Sequence, residues 1–298
     1  MFSRRHPFLF FILVFAAIVG VTTVLTSIMG LLDKEKREFR FGEKVGVIEI
    51  EGMMTDARGI IGQIKAFREQ ESIKAIVLRI NSPGGPVGPA QEIYREVEKT
   101  VKEKKVVASL GSIAASGGYY VASAADRIMA NPGTITGSIG VIMGYTNFQE
   151  LLQKIGLRPV VIKSGKYKDL ASPVRELSEK ERELLQAFTD NIHTQFIEDV
   201  AKGRGESPDA IRKIADGRIF SGETAKQHGL VDRLGNLVDA IEWAGRLGGI
   251  KGEIRSVYPP EKKLPIVEYL MDMAAAKLKA TMQEMTSVTP GYIYEPGK

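Results

Sequence analysis

The chain has 298 residues, 41 Lys and Arg against 36 Asp and Glu, a net charge of +5 and no cysteine. Without cysteine, dependence on disulfides is excluded. The basic residues are spread through acid-rich stretches such as Glu176–Glu183, a solvated face and not a nucleic-acid stripe, so a mild attraction to anionic lipid headgroups is the more natural reading of the charge.

Residues Phe8 to Leu32 carry no charge and are dominated by Phe, Ile, Leu and Val. This matches the about 20 residues that a membrane-spanning helix needs. The stretch Ser27-Ile28-Met29-Gly30 offers no good small-residue cleavage site, which predicts an uncleaved anchor over 1–32. Arg4 and Arg5 precede the span, while Lys34, Lys36, Arg37 and Arg40 follow it among acids, so charge alone does not orient it. Residues 33–43 read as a charged linker.

From Lys44 the pattern alternates. Val45–Ile50 reads as a strand, Ile60–Arg68 as a helix, Ala75–Ile80 as a buried parallel strand and Pro89–Lys104 as a helix. Short strands are expected at Val106–Leu110, Arg127–Ala130, Gly140–Met143 and Pro159–Ile162, with a small-residue helix over Tyr119–Ala125. A long helix is expected from Glu176 to Gly203, with Leu184, Leu185, Phe188, Ile192, Phe196 and Val200 on its apolar stripe. Such alternation indicates an α/β domain of parallel strands and crossover helices over 44–258. The tail, 259–298, has apolar residues at helical spacing between Leu264 and Met285, an amphipathic arm that packs on the domain or meets a membrane or subunit.

Two glycine clusters carry candidate chemistry. Ser116 stands in Ala115-Ser116-Gly117-Gly118-Tyr119-Tyr120, where the glycines let backbone approach a hydroxyl closely. It reads either as a helix N-cap or as a nucleophile beside free amides. Gly84 and Gly85 follow a strand end, where open α/β sheets bind ligands, and serve either as a simple turn or as amides facing a substrate carbonyl. No phosphate loop follows. With only three histidines, a base for Ser116 is scarce. His6 flanks the apolar segment, His193 falls beside the stripe of the long helix, and His228 suits a helix end. A lysine, Lys168 in Ser164-Gly165-Lys166-Tyr167-Lys168-Asp169, becomes the natural candidate. It must be neutral to accept a proton, so it needs an apolar, partly closed site. Lys163 and Lys166 read as solvated surface lysines.

Asn81-Ser82-Pro83-Gly84-Gly85, the Ser116 segment, Thr136-Gly137-Ser138-Ile139-Gly140, Ser164–Lys168, Gly217–Gly222 and Gly229-Leu230-Val231-Asp232 occur in the order of the signal peptide peptidase A family, which the chain resembles over roughly Lys44–Tyr258. The resemblance implies a ClpP/crotonase-like domain of ββα superhelical units with an N-terminal transmembrane helix and a C-terminal amphipathic helix. It implies Ser116 as nucleophile, Lys168 as general base and Ser138 as a hydrogen-bond partner of that lysine. Gly84 and Gly85 lie in the oxyanion segment, with Gly117 beside the nucleophile; no metal and no cofactor are involved. The family's setting is the bacterial cytoplasmic membrane, single-pass, with the catalytic domain outside the cytoplasm and remnant signal peptides or other apolar peptides as substrates. Long members supply serine and lysine from consecutive domains, so the resemblance further implies a ring-shaped homo-oligomer in which Ser116 of one copy meets Lys168 of the next. The rival readings are an acyl-CoA enzyme of the crotonase type, a membrane protease with a specific protein substrate, and a non-catalytic scaffold.

Overall fold

A computed structural model describes residues 42–260, together with 19–21, 23, 273, 276, 277 and 291–293. Among the described residues no helix is long and apolar enough to cross a membrane. The expected span over 8–32 lies outside them except for helical positions 19–21 and 23, and the expected arm over 264–285 lies outside them except for 273, 276 and 277. The chain divides into two compact units, Met1–Glu43 and Lys44–Lys298.

The second unit runs β1 (Lys44–Glu51), α1 (Arg58–Glu69), β2 (Ile73–Ser82), β3 (Gly84–Pro86), α2 (Val87–Thr100), β4 (Lys105–Ala115), α3 (Gly117–Ser123), β5 (Arg127–Ala130) and β6 (Ile135–Gly137). There follow α4 (Gln149–Lys154), α5 (Glu179–Arg204), α6 (Pro208–Arg212), β7 (Ile219–Ser221), α7 (Gly222–Gln227), β8 (Arg233–Leu234), α8 (Leu237–Leu247), β9 (Arg255–Val257) and β10 (Gly291–Ile293). The main sheet has the order β7-β6-β4-β2-β1-β9, with β5 on β4 and β8 on β5. Every pairing in it is parallel except β6 with β7.

Alternation along the strands sorts side chains into two layers. Val45 and Val47 join Ala75, Val77, Val107 and Met129 beneath Ala240 and Ala244 of α8. Ile48 and Ile50 face the other way, into the larger core with Ile76, Leu78 and Ile80 under α2, α3 and α5. The long strand β4 divides its pairing. Val107–Leu110 run beside β5, whereas Ile113–Ala115 run beside β6, with a register shift against β2 between Ile80 and Ser82. That fork sends the last residues of β4 out past the sheet, directly into Ser116.

The core strands and helices match the sequence reading to within a few residues, and the departures have local causes. Residues 140–143 and 159–162 are not strands. The first stretch makes only a single bridge, at Ile142, and the second, Pro159-Val160-Val161-Ile162, pairs with no described strand; Val160 is 86% and Ile162 98% exposed. The apolar stripe of α5 is buried only from Ile192 onward, and Leu184 and Phe188 are exposed. The start of that helix is set by Ser178, whose hydroxyl accepts from the Glu181 N–H while the Glu181 side chain bonds the Ser178 backbone, a reciprocal cap.

Candidate active site

Ser116 occupies the junction of β4 and α3 with φ 53° and ψ −120°, a left-handed conformation that a non-glycine residue adopts at a cost of about 1–3 kcal/mol. Its surroundings hold it there. The Ser116 N–H donates to Gly137 O at 2.8 Å, and Ser116 O accepts from the Tyr120 N–H at 2.8 Å. Although Ser116 stands at the N-cap position, its side chain makes no capping bond. The residue is 1% exposed and its Oγ has no hydrogen-bond partner. The capping role is therefore absent, and a buried hydroxyl is left with its full bonding capacity unused.

The two glycines after it are steric requirements. A Cβ at Gly117 would stand 3.2 Å from Gly84 Cα, 3.2 Å from Met54 Cε and 3.3 Å from Gly85 N. A Cβ at Gly118 would stand 2.7 Å from Ser82 O. The two glycine clusters noted in the sequence are thus one structure: the start of α3 lies against β3. All of α3 is buried. Its far side is tied down by the Tyr119 hydroxyl donating to Leu230 O at 2.9 Å and by the Tyr120 hydroxyl donating to the Asp199 carboxylate. Tyr94 donates to Asp199 O at 3.0 Å. Burial pushes the Tyr94 and Tyr119 phenols well above their ordinary range, so both remain protonated donors.

Within β3 the two glycines differ. The Gly84 N–H donates to Ser82 Oγ at 3.1 Å, and Gly84 O accepts from the Met54 N–H at 2.9 Å. The Gly84 amide is therefore committed, and Gly85 N is the β3 amide that lies beside Gly117. β3 also pairs antiparallel with β10, Tyr292 opposite Gly85 and Ile293 opposite Gly84. An extended segment is accepted on this edge. Met54 was not singled out from the sequence, and Ser82 only as part of the Asn81–Gly85 run; Met54 stands a few residues past the carboxyl end of β1, the same end of the sheet as the other site residues, which was the available signal.

Ser138 follows the Gly137 that receives the Ser116 N–H, so it stands just past the strand bonded to Ser116. It too has a positive φ, 50°, and is buried, with its N–H donating to Arg218 O at 2.8 Å. It borders a cavity of about 540 Å³ lined also by Ile142, Gln186, Asp190 and His193. His193 is half-buried, its Nε2 3.3 Å from Ile139 O, the boundary position expected of it. His228 caps the end of α7.

Lys168 is not brought to Ser116 within the chain. It is exposed, in a turn closed by its N–H donating to Gly165 O at 3.1 Å. Lys163 is an exposed surface lysine, as expected, and its amine bonds Asp169 Oδ1 at 2.5 Å. Lys166 lies 5.3 Å from the Tyr167 ring centroid.

The sequence matches the model of Peptidase family S49 over residues 98–251 and that of Clp protease over 44–134. The chain belongs to peptidase family S49, as a member of the signal peptide peptidase A family. It is 43% identical over 233 residues to a protein of Synechocystis sp. named for a protease, covering 76% of this chain and 83% of that one. It is 32% identical over 239 residues to a protein of Enterococcus faecium named signal peptide peptidase SppA, covering 76% and 70%. It is 34% identical over 253 residues to protease 4 of Salmonella typhi, covering 82% of this chain and 40% of that longer one. The fold is accordingly a mixed α/β fold with a Clp protease-like domain, and the chain is a serine protease of family S49. The S49 match contains Ser116, Ser138 and Lys168, while Gly84 and Gly85 fall in the Clp protease match.

Proposed function

We propose that this serine protease is a membrane-bound endopeptidase that cleaves remnant signal peptides and other apolar peptides through Ser116 and a Lys168 contributed by a neighbouring copy. The observation that carries the reading is the Ser116 hydroxyl: buried, on strained backbone, without a partner, and beside a glycine edge that accepts an extended strand. A substrate laid along Gly84–Pro86 by main-chain hydrogen bonds presents its carbonyl to Ser116. Ser116 Oγ attacks that carbon as its proton passes to the neutral Lys168 amine, with Ser138 orienting the amine. The oxyanion forms near the Gly85 and Gly117 amides. Collapse expels the amine half of the substrate, protonated by Lys168, and water then hydrolyses the acyl-enzyme.

Two features support the shared site. Lys168 is exposed in its own chain, and the segment leading to it is apolar and uncovered. A head-to-tail contact of this kind must close into a ring or polymerise. Anchoring by the apolar run 8–32 keeps the site near peptides left in a bilayer. The test is complementation with an apolar peptide substrate. Ser116→Ala and Lys168→Ala chains, each folded and each inactive, are mixed under conditions that allow subunits to exchange. Regained cleavage is expected, since mixed rings contain sites with both residues intact. No recovery after proven exchange, or full activity in a strict monomer, refutes the shared dyad. Cleavage only of one folded protein partner, with apolar peptides untouched, refutes the substrate class.

A further inference from the structure

The turn that carries Lys168 is closed by a chain of charges. Lys163 Nζ bonds Asp169 Oδ1 at 2.5 Å, and Asp169 Oδ2 accepts from Arg175 Nε at 2.8 Å. Arg175 Nη2 also donates to Asp169 O at 3.0 Å, and its two Nη atoms grip both oxygens of Glu181 at 2.9 and 2.5 Å. Glu181 is the residue that caps α5 with Ser178. The network therefore runs from the residue before the turn, through the residue after Lys168, to the first turn of a 26-residue helix. Between its ends, three backbone bonds fold the segment: Lys168 N–H to Gly165 O, Leu170 N–H to Tyr167 O and Ser172 N–H to Asp169 O, each 3.1 Å.

This arrangement bears on the one difficulty that a lysine base meets. Its amine must shed a proton, and a carboxylate next to it opposes that. Asp169 is such a carboxylate, adjacent in sequence. Here its charge is answered by two cations, and the four-residue cluster of Lys163, Asp169, Arg175 and Glu181 sums to zero. Arg175 first, then Lys163, holds the Asp169 carboxyl below its ordinary range, so it stays an ion committed to these partners. Of the other charged groups nearby, Lys166 lies against Tyr167, and Glu176, Glu179 and Lys180 are exposed. From the segment packed on Pro173 and Arg175, Glu150 and Arg158 are exposed as well.

We propose that Lys163, with Arg175 behind it, is a positioning residue for the base: it closes the Lys168 turn and cancels the adjacent carboxylate, so that the amine becomes neutral at a lower pH. The proposal rests on Lys168 being the base. A unit charge within roughly 10 Å, at a surface-like dielectric, moves a titration by about half to one pH unit.

The experiment is the pH profile of kcat/KM, from pH 6 to 10.5, for the full chain acting on a fluorogenic apolar peptide. Lys163→Gln should move the midpoint alkaline by about half to one unit, a loss of about three- to tenfold below the midpoint, with the alkaline plateau kept. Asp169→Asn should move it the other way, and the double variant should return toward wild type. A merely structural role would lower the rate by one factor at every pH; that result, or an unmoved midpoint, overturns the proposal. If Lys163→Gln does not fold, Asp169→Asn decides alone, an alkaline shift or none being the refuting result. Lys168→Arg separates the two levels of failure. If it works normally, the base assignment falls and the proposal with it; if it is dead while Lys163→Gln leaves the midpoint in place, only the proposal falls.

Discussion

Replacing Gly118 by alanine tests the geometry of Ser116, the proposed nucleophile, from behind. The added Cβ would stand 2.7 Å from Ser82 O and 3.5 Å from Ser82 Cβ, with Ile80 Cγ2 at 3.6 Å. The first of these is a backbone carbonyl in β2, unable to rotate away, so α3 and the β2–β3 corner must separate by several tenths of an ångström. Overpacking of this kind costs about 1–3 kcal/mol. Alanine's better helix propensity returns up to about 1 kcal/mol, and the net loss should be about 1–2 kcal/mol. At roughly 2–4 °C per kcal/mol for a domain of this size, Tm should fall by roughly 2–8 °C. The catalytic effect should be larger. Ser82 Oγ holds the Gly84 N–H and Ser116 sits two residues from the clash, so the proposed nucleophile and the proposed oxyanion edge should move apart together. A misplacement approaching 1 Å can cost about 100-fold, and kcat should fall by about 10- to 100-fold in protein that is fully folded at the assay temperature. Calorimetry and single-turnover acylation measure the two parts. Gly133→Ala is the control, since Gly133 is exposed and nothing lies within 4 Å of its Cβ position. A Gly118→Ala protein matching that control in both Tm and kcat would show that β3 and α3 are not in the close contact described.

Three further outcomes are expected. Arg175, and behind it the Ser178 backbone and hydroxyl, lower the Glu181 carboxyl to about 2, so its contribution is present above the ordinary value near 4.3 and lost as pH falls through the folded value; the Tm gap between wild type and Glu181→Gln should be constant from pH 7 to about 5 and close by pH 2, and a gap unchanged at pH 2 would refute this. Ending the chain at Pro290 removes β10 from the Gly84–Pro86 edge, so KM for an extended peptide should fall with kcat little changed, unless steady-state kinetics show the two chains identical. Tyr120→Phe removes a buried donor from the Asp199 carboxylate and should destabilise the fold by about 1.5–3 kcal/mol in urea titration, while loss of under 0.5 kcal/mol would mean Arg95 alone satisfies that charge.

What the sequence made legible was what local pattern decides. Val45–Ile50 and Ala75–Ile80 are strands because both faces meet a core, and runs without a polar face say so. Ser116 and the glycine pairs stood out because small residues beside one hydroxyl are a steric signal. Three things stayed hidden, each because it depends on partners distant in the chain. Val160–Ile162 has strand composition and no strand to join. The commitment of the Gly84 amide to Ser82 cannot be told from the pair Gly84-Gly85 alone. The cavity beside Ser138 takes His193 from a helix more than fifty residues away, on the flank of a stripe that pattern reading could only call a boundary.

The residues that break the ordinary rules break them in complementary ways. Ser116 is a buried polar group without a partner on backbone that disfavours it, a double cost that a stable fold keeps only where the surroundings over-determine it. Apolar side chains between Ile142 and Ile162, such as Phe148, Leu151, Ile155 and Val160, with Leu184 and Phe188 of α5, break the opposite rule, standing exposed. Among the described residues neither is answered: the Lys168 turn is tied by Arg175 and Glu181 to the head of α5, and α3 is packed closely on β3 at Gly117 and Gly118. The shared dyad we propose would answer both at once, covering the exposed apolar side chains and bringing an amine to the orphan hydroxyl. It would also desolvate that amine, the condition under which a lysine becomes a base near neutral pH. On this reasoning activity and assembly are a single equilibrium. Specific activity of wild-type protein should therefore fall on dilution in step with loss of the oligomer in sedimentation, and a specific activity constant across that dissociation would break the link.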